Sequence, residues 1–143
     1  MNRARRTPLQ LSLTPVFDRA VDSLCAALHP DTTRHYRGTA HNFLGYLSTA
    51  YPAVTSLDLL RRDPHILGWM SRLRAQTPPL VTASYINLLL ALRRIFAELA
   101  WMEQHPELAH LIHTQDIPRL PHRLPRPLTT EQEAQQVNTY LVL

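Results

Sequence analysis

The sequence predicts an all-α fold, in which four main helices and several short helices form a bundle that is followed by a proline-rich extended linker. Apolar residues recur every three or four positions through most of the chain, and no segment alternates apolar and polar residues as a strand does. Only 3 glycines are present, and 12 prolines separate the periodic segments. With 143 residues, 45% of them hydrophobic, the chain is long enough to bury the core of one domain.

The first predicted helix begins at Thr14-Pro15, because a cap residue followed by proline is typical of a helix N-terminus. Its apolar stripe contains Phe17, Val21, Leu24 and Leu28. Three charged residues face away from that stripe, namely Asp18, Arg19 and Asp22. The periodicity therefore predicts one buried face and one solvated face.

The second predicted helix begins after Pro30, with Asp31 or Thr32 as its cap, and ends near Ser48. Its apolar arc contains Tyr36, Ala40, Phe43, Leu44 and Leu47. The opposite side of the helix contains Arg34, Arg37, Gly38, His41 and Gly45. Because glycine has no side chain, the two glycines on that side would let a partner approach the backbone closely.

Two more main segments follow. A short helix is expected after Ser56, and another begins at Asp63-Pro64 and buries Ile66, Trp69, Met70 and Leu73. Residues 82–102 form the longest helix, with an inward face of Tyr85, Leu88, Leu89, Leu92, Phe96 and Leu99. Leu90 and Trp101 fall on its other side, and a helix that is apolar on most sides is usually central to its domain.

The chain divides into four predicted parts. Residues 1–13 form a basic N-terminal tail, and residues 14–115 form the helical domain, which a short helix near residues 106–112 completes. Residues 116–128, DIPRLPHRLPRPL, form an extended linker, because closely spaced prolines prevent a helix. Residues 129–143 begin a further helix, which Thr129 or Thr130 caps.

The charge indicates a polyanionic partner. All 15 basic residues are arginine and the acids number 11, so the net charge is +4. Arginine forks match phosphate geometry well, although a GC-rich genome would also favour arginine codons over lysine. Cys25 is the single cysteine, and the chain has neither a secretory signal pattern nor a long apolar run. These features predict a cytoplasmic protein without a membrane anchor.

The segment LHPDTTRHYRGTAHNFLGYL resembles the first helix pair of the core-binding domain of tyrosine recombinases (phage integrases). The family has a proline turn, a threonine, a tyrosine and a phenylalanine at the positions of Pro30, Thr32, Tyr36 and Phe43. LLALRRIFAELAW is similar to the last long helix of that domain, and DIPRLPHRLPRPLTTEQE to the linker into the catalytic domain. The resemblance implies an orthogonal, SAM-like bundle that binds double-stranded DNA, with other recombinase protomers as further partners and no small-molecule substrate.

The resemblance also implies that this chain is not itself an enzyme and needs no cofactor. Family catalysis uses a tyrosine nucleophile with arginines, a lysine and histidines, all in the catalytic domain. After Pro127 the sequence contains Tyr140 but no arginine, lysine or histidine. A tyrosine without positive groups to hold the scissile phosphate lacks the electrostatic means to attack it.

Nine residues are candidate DNA contacts. On the second helix, Arg34, Arg37 and His41 are the first choice for phosphate contact, with Thr32 and Thr33 offering hydroxyls and amides at the helix start. By the resemblance, the long helix adds Ser84, Asn87, Arg93 and Arg94. The alternatives are a solvated face, helix capping by the threonines, and pairing of Arg94 with Glu98 at i,i+4.

Other functions have weaker support in the sequence. His105, His110 and His113 lie close together, but structural zinc needs four ligands and Cys25 belongs to a different helix. No nucleotide-binding loop or strained nucleophile turn occurs. The main alternative to DNA binding is a helical protein-interaction module, or a recombinase-derived inhibitor, that uses Leu90, Trp101 or the C-terminal TYLVL.

Overall fold

A computed structural model describes residues 12–119, and all regular secondary structure in that range is helical. Its main helices are α1 (Thr14–Leu24), α2 (Pro30–Ala50), α3 (Leu67–Ala75) and α4 (Thr82–Met102). Short 3-10 helices span Leu57–Leu59, Pro106–His110 and Thr114–Asp116. The all-α class and the four main helices are confirmed, whereas the predictions for residues 1–11 and 120–143, with Thr129, Thr130 and Tyr140, lie outside the described residues.

One fully buried aromatic residue from each main helix forms the centre of the core. Phe43 of α2 is 6.1 Å from Phe17 of α1, 5.6 Å from Trp69 of α3 and 5.6 Å from Phe96 of α4, between ring centroids. The contacts to Trp69 and Phe96 are edge-to-face, which is a favoured geometry worth about 0.5–1.5 kcal/mol per pair beyond area burial. The predicted inward faces of all four helices therefore meet at Phe43.

Several predicted details of α1 and α2 are wrong. Helix α1 ends at Leu24, so Leu28 leaves the apolar stripe and is 44% exposed. Leu13, which was assigned to the basic tail, is buried in the core. The N-cap of α2 is His29, whose Nδ1 accepts a hydrogen bond from the Asp31 backbone N–H at 3.1 Å. Because Pro30 occupies the first helical position, the residue before it becomes the cap.

The later elements agree with the periodicity in most respects. All four apolar residues predicted for the third helix are buried, although an irregular turn, Arg62–Ile66, precedes α3 itself. In that turn Asp63 has extended rather than helical backbone angles. Helix α4 matches residues 82–102 and packs against α1, α2 and Pro106–His110. Leu88 is only partly buried, because it lies at the edge of the inward face.

The end of the described chain is fixed to the body by an ion pair. Both terminal nitrogens of Arg62 donate to the Asp116 carboxylate, at 2.6 and 2.7 Å, and Arg62 also donates to the Leu111 carbonyl at 2.9 Å. Asp116 in turn accepts from the His113 backbone N–H at 2.7 Å. Asp116 therefore belongs to the packed structure, and the prediction that an extended segment starts at residue 116 is wrong for this residue.

Candidate nucleic-acid interface

The basic face predicted on α2 is largely neutralised by acids. Arg37 forms ion pairs with Asp18 and Asp22 of α1, and the His41 Nε2 lies 3.0 Å from the same Asp18 carboxylate. Arg34 pairs with Asp31 one turn earlier, at 3.0 Å. The outward face of α1 and this side of α2 therefore contact each other, and their opposite charges balance.

Three of the predicted contacts line one groove between α2 and α4. Thr32 from α2 and Asn87 and Arg94 from α4 lie in a shallow groove of about 560 Å³. Its other lining residues are His35, Tyr36, Leu90 and Ala91. Among residues 12–119, no carboxylate lines this groove. The arrangement is suited to an anionic ligand, because Arg94 gives the lining a positive charge.

The two arginines of α4 are held by neutral groups. The Arg94 guanidinium lies 6.0 Å from the centroid of the Tyr36 ring, in a cation–π contact. Arg93 donates to the Thr114 hydroxyl at 3.1 Å. The alternative pairing of Arg94 with Glu98 is not observed, because Glu98 instead accepts from the Ser23 hydroxyl at 2.6 Å. Within residues 12–119, neither arginine forms an ion pair, so both charges are available to a ligand.

The remaining predicted contacts do not line the groove. The Thr33 hydroxyl donates to the His29 carbonyl at 3.5 Å, which is a local contact at the start of α2. Ser84 is half-buried near the N-terminus of α4 and does not reach the groove lining. Gly45, which was expected on the open side, is buried, whereas Gly38 has no heavy atom within 4 Å of an added Cβ. Of the two glycines, only Gly38 offers an open backbone.

An exposed polar stripe on α2 was missed in the sequence. His35, Gly38, Asn42 and Thr49 are all exposed, and their spacing of three, four and seven residues places them along one side of the helix. None of the four is acidic, and Asp31, at the start of the helix, is paired with Arg34. The spacing of these residues could have revealed the stripe. The prediction instead chose the neighbouring face of α2, because that face contains the arginines.

Asn42 has a defined orientation within this stripe. Its Oδ1 accepts a hydrogen bond of 2.8 Å from the Nε1–H of the fully buried Trp69. Because the indole N–H is only a donor, the asparagine oxygen must face it. The amide NH2 group of Asn42 is therefore directed to the other side, where it can donate to a ligand.

Other kinds of site find no support in the described part of the chain. Within residues 12–119, no three histidine, cysteine, aspartate or glutamate side chains are grouped as metal ligands would be. None of the helices in that range is long and apolar enough to cross a membrane. The pKa shifts at His65 and Asp116, outside the interface, have structural causes: burial lowers the pKa of His65, and the hydrogen bond from Arg62 lowers that of Asp116.

The chain matches no family model, and neither the curated proteins nor the solved structures contain a match to it.

Proposed function

We propose that this protein binds duplex DNA through the exposed stripe of α2 and the adjoining α2–α4 groove. The observation that carries the proposal is the charge distribution around α2. Its α1 side is neutralised by aspartates, whereas on its α4 side Arg94 lines the groove without a carboxylate partner among the described residues. Arg93, one residue earlier on α4, contacts Thr114 instead of the groove and also has no carboxylate partner there. A polyanion would therefore meet attraction on the α4 side of α2 and not on its α1 side.

The shape of this surface supports the same function. An α-helix with its side chains is about 10–12 Å wide, and the major groove of B-DNA is about 12 Å wide. Gly38 lies near the middle of the exposed stripe and places no side chain between the helix and a partner. With α2 in the groove, His35 would face base edges and Arg94 would face a phosphate of the flanking strand.

The cation–π contact of Arg94 favours phosphate binding. The Tyr36 ring is buried and attracts the guanidinium, which lies 6.0 Å from its centroid, so less side-chain freedom is lost when a phosphate binds. Arginine–phosphate hydrogen bonds are charge-assisted and are about twice as strong as neutral ones. Arg93, bonded to a neutral hydroxyl, retains its full charge for a second phosphate.

The resemblance to core-binding domains supplies the finer parts of the proposal. In that proposal the four helices cross nearly at right angles, and the proline-rich segment after Asp116 leads towards a recombinase catalytic domain. The protein acts in the cytoplasm, holds one side of a recombination-site duplex and does not cut DNA itself. A covalent protein–DNA adduct trapped at Tyr140 on a suicide substrate would refute this last part.

The test compares two double variants that remove the same charge. Arg93→Ala/Arg94→Ala removes the acid-free arginines, and Arg34→Ala/Arg37→Ala removes the paired ones. Wild-type binding to unrelated duplexes should weaken with salt, with a slope of log affinity against log salt of about −3 to −4.5 for three to five phosphate contacts. The α4 double variant should flatten that slope by about 1.8, since each lost phosphate contact contributes about 0.9.

The α2 double variant should flatten the slope much less, because Arg37 is already neutralised in the free protein. Each variant should lower the affinity for all unrelated duplexes by the same factor, since phosphate contacts carry no sequence information. That factor should be larger for the α4 variant than for the α2 variant. Circular dichroism establishes that each variant is folded. Equal losses from the two variants would mean that overall charge, and not the α4 arginines, determines binding, and would refute the proposed interface.

Protein interaction is a second candidate function, and the exposure of Trp101 favours it. Trp101 is 76% exposed, and it lies eleven residues after the exposed Leu90, on the same side of α4. Large exposed aromatic residues are enriched in protein interfaces. If this surface binds a protein, Trp101→Ala should abolish self-association or partner binding in analytical ultracentrifugation and leave duplex affinity unchanged.

A further inference from the structure

A second groove, between α2 and α3, lies on the other side of the exposed stripe. It has a volume of about 510 Å³, with polar side chains from His41, Asn42, Thr49, Arg72 and Gln76 in its lining. His41, one of the predicted DNA contacts, lies 3.0 Å from the Asp18 carboxylate of α1. Trp69 and Tyr46 contribute the aromatic part of the lining. No carboxylate from the described part of the chain lines the groove. The stripe therefore contributes His35 to the α2–α4 groove and Asn42 and Thr49 to the α2–α3 groove.

Arg72 repeats the arrangement of Arg94 on this opposite side. Its guanidinium lies 5.4 Å from the centroid of the Tyr46 ring. Burial raises the pKa of the Tyr46 phenol, so the ring is neutral at physiological pH and does not cancel the arginine charge. No ion pair to Arg72 is present within residues 12–119. Each arginine is thus held by a tyrosine of α2, one on α4 and one on α3.

Close packing fixes the Tyr46 ring in place. Gly68, near the start of α3, lies so close to it that an added Cβ would be 2.1 Å from the Tyr46 hydroxyl oxygen. A side chain at position 68 would therefore displace the ring beneath Arg72. Asn42 is fixed by the Trp69 hydrogen bond, so Arg72 and Asn42 are both held in place before any ligand binds.

We propose that the α2–α3 groove binds a DNA backbone phosphate, with Arg72 and the Asn42 amide as its donors. This inference rests on the proposed DNA binding and deepens it, because it supplies a phosphate contact on the second side of α2. Arg94 then contacts one strand and Arg72 the other, and α2 lies between them in the major groove. Asn42 contacts the phosphate as a donor, through its NH2 group, because its oxygen already accepts a hydrogen bond from Trp69.

The first test compares two single variants, each of which removes one positive charge. Arg72→Gln removes the charge of the proposed contact, and Arg19→Gln removes an exposed arginine of α1 that lies 3.7 Å from Glu103. Titration of a labelled duplex at several salt concentrations should give a slope that is flatter by about 0.9 for Arg72→Gln. The slope for Arg19→Gln should remain that of the wild type.

Asn42→Asp provides a second test that hardly changes the shape of the side chain. The new carboxylate still accepts the Trp69 hydrogen bond, but an oxygen replaces the NH2 group that faces the groove. Because a donor is lost and a negative charge is gained, affinity should fall further than in Arg72→Gln. Thermal unfolding of each variant establishes that the fold is retained, and if Asn42→Asp does not fold, the comparison of Arg72→Gln with Arg19→Gln decides.

Different failures have different meanings. If Arg93→Ala/Arg94→Ala weakens binding while Arg72→Gln and Arg19→Gln behave like the wild type, the α2–α3 contact is refuted and the proposed function stands. If the wild-type protein shows no salt-dependent binding to any duplex, both proposals are refuted. A flatter slope for Arg72→Gln together with a large loss for Asn42→Asp supports the contact.

Discussion

The two sides of α2 hold their arginines in different ways. On the α1 side, Arg37 is bonded to two aspartates, and the pair anchors one helix to another. On the α4 side, Arg94 lies over a tyrosine ring and has no carboxylate partner among residues 12–119. The comparison shows that equally basic positions in a sequence divide into structural charges and available charges. Substitutions that remove or create ion pairs of these arginines therefore test the proposed DNA binding directly.

The largest expected effect concerns Arg62, the most enclosed paired arginine. Arg62 and Asp116 side chains are 27% and 12% exposed, and their bidentate contact also holds the Leu111 carbonyl. Arg62→Ala leaves Asp116 partly buried without its main donor, so the free energy of unfolding should fall by about 2 kcal/mol. Urea denaturation measures the loss, and the duplex affinity of the folded variant should equal that of the wild type.

Arg61→Ala is the control, because the Arg61 side chain donates to nearby backbone carbonyls, those of Asp58 and Leu60, and not to a carboxylate. The pH dependence gives a further check. Arg62 lowers the pKa of Asp116 below its ordinary value, so this stabilisation is present above the unfolded pKa and is lost as the pH falls through the folded one. Arg62→Ala should therefore lose less stability on acidification. If Arg62→Ala and Arg61→Ala lower the free energy of unfolding equally, the Arg62–Asp116 ion pair does not stabilise the fold.

The next largest effect is expected from removing the acids that pair with Arg37 on the α1 side of α2. Asp18→Asn/Asp22→Asn removes both partners of Arg37, so its charge becomes free for phosphate contact. Duplex affinity should rise, and the salt slope should steepen by about 0.9 if Arg37 gains one phosphate. Salt titration on the same duplexes as before measures this change.

A matched control separates pairing from overall charge. Asp58→Asn/Glu107→Gln also removes two exposed acids, but these lie near Arg61 and away from α2. This control should leave the slope at the wild-type value. If both double variants steepen the slope equally, Arg37 does not become a specific contact, and the difference between the two sides of α2 has no functional meaning.

The smallest effect concerns His65, in the turn before α3. His65 is buried, its Nδ1 accepts from the Arg61 backbone N–H at 2.9 Å, and its ring lies 4.9 Å from that of Tyr51. Burial, with a smaller contribution from the Arg61 charge, lowers the pKa of His65. The unfolded chain therefore binds this proton first, and stability should fall as the pH drops below about 6.5, the ordinary histidine pKa.

His65→Asn retains an acceptor for the Arg61 N–H but does not titrate. Stability measured by urea denaturation between pH 7 and pH 5 should fall less for this variant than for the wild type. The subtraction removes the contribution of the other histidines, which both proteins share. A parallel pH dependence in the two proteins would show that His65 does not stay neutral in the fold.

The sequence by itself determined the helices and most of their buried faces. Phe43 and Trp69 could be placed inside because apolar residues repeat at the helical period, and this signal is local. Helix α4 was predicted over the observed residues for the same reason. The small errors, such as the cap at His29 and the end of α1 before Leu28, fall at helix boundaries, where a local pattern contains the least information.

Only the tertiary structure decided which charges are free. Asp18 and Asp22 face away from the apolar stripe of α1, as predicted, but packing places α2 so that Arg37 reaches both of them. Arg62 meets Asp116 across 54 residues of sequence in the same way. An ion pair of this kind depends on the distance between two helices, and periodicity reports only the face on which each side chain lies. Whether an arginine is paired or available is therefore a property of the packed molecule.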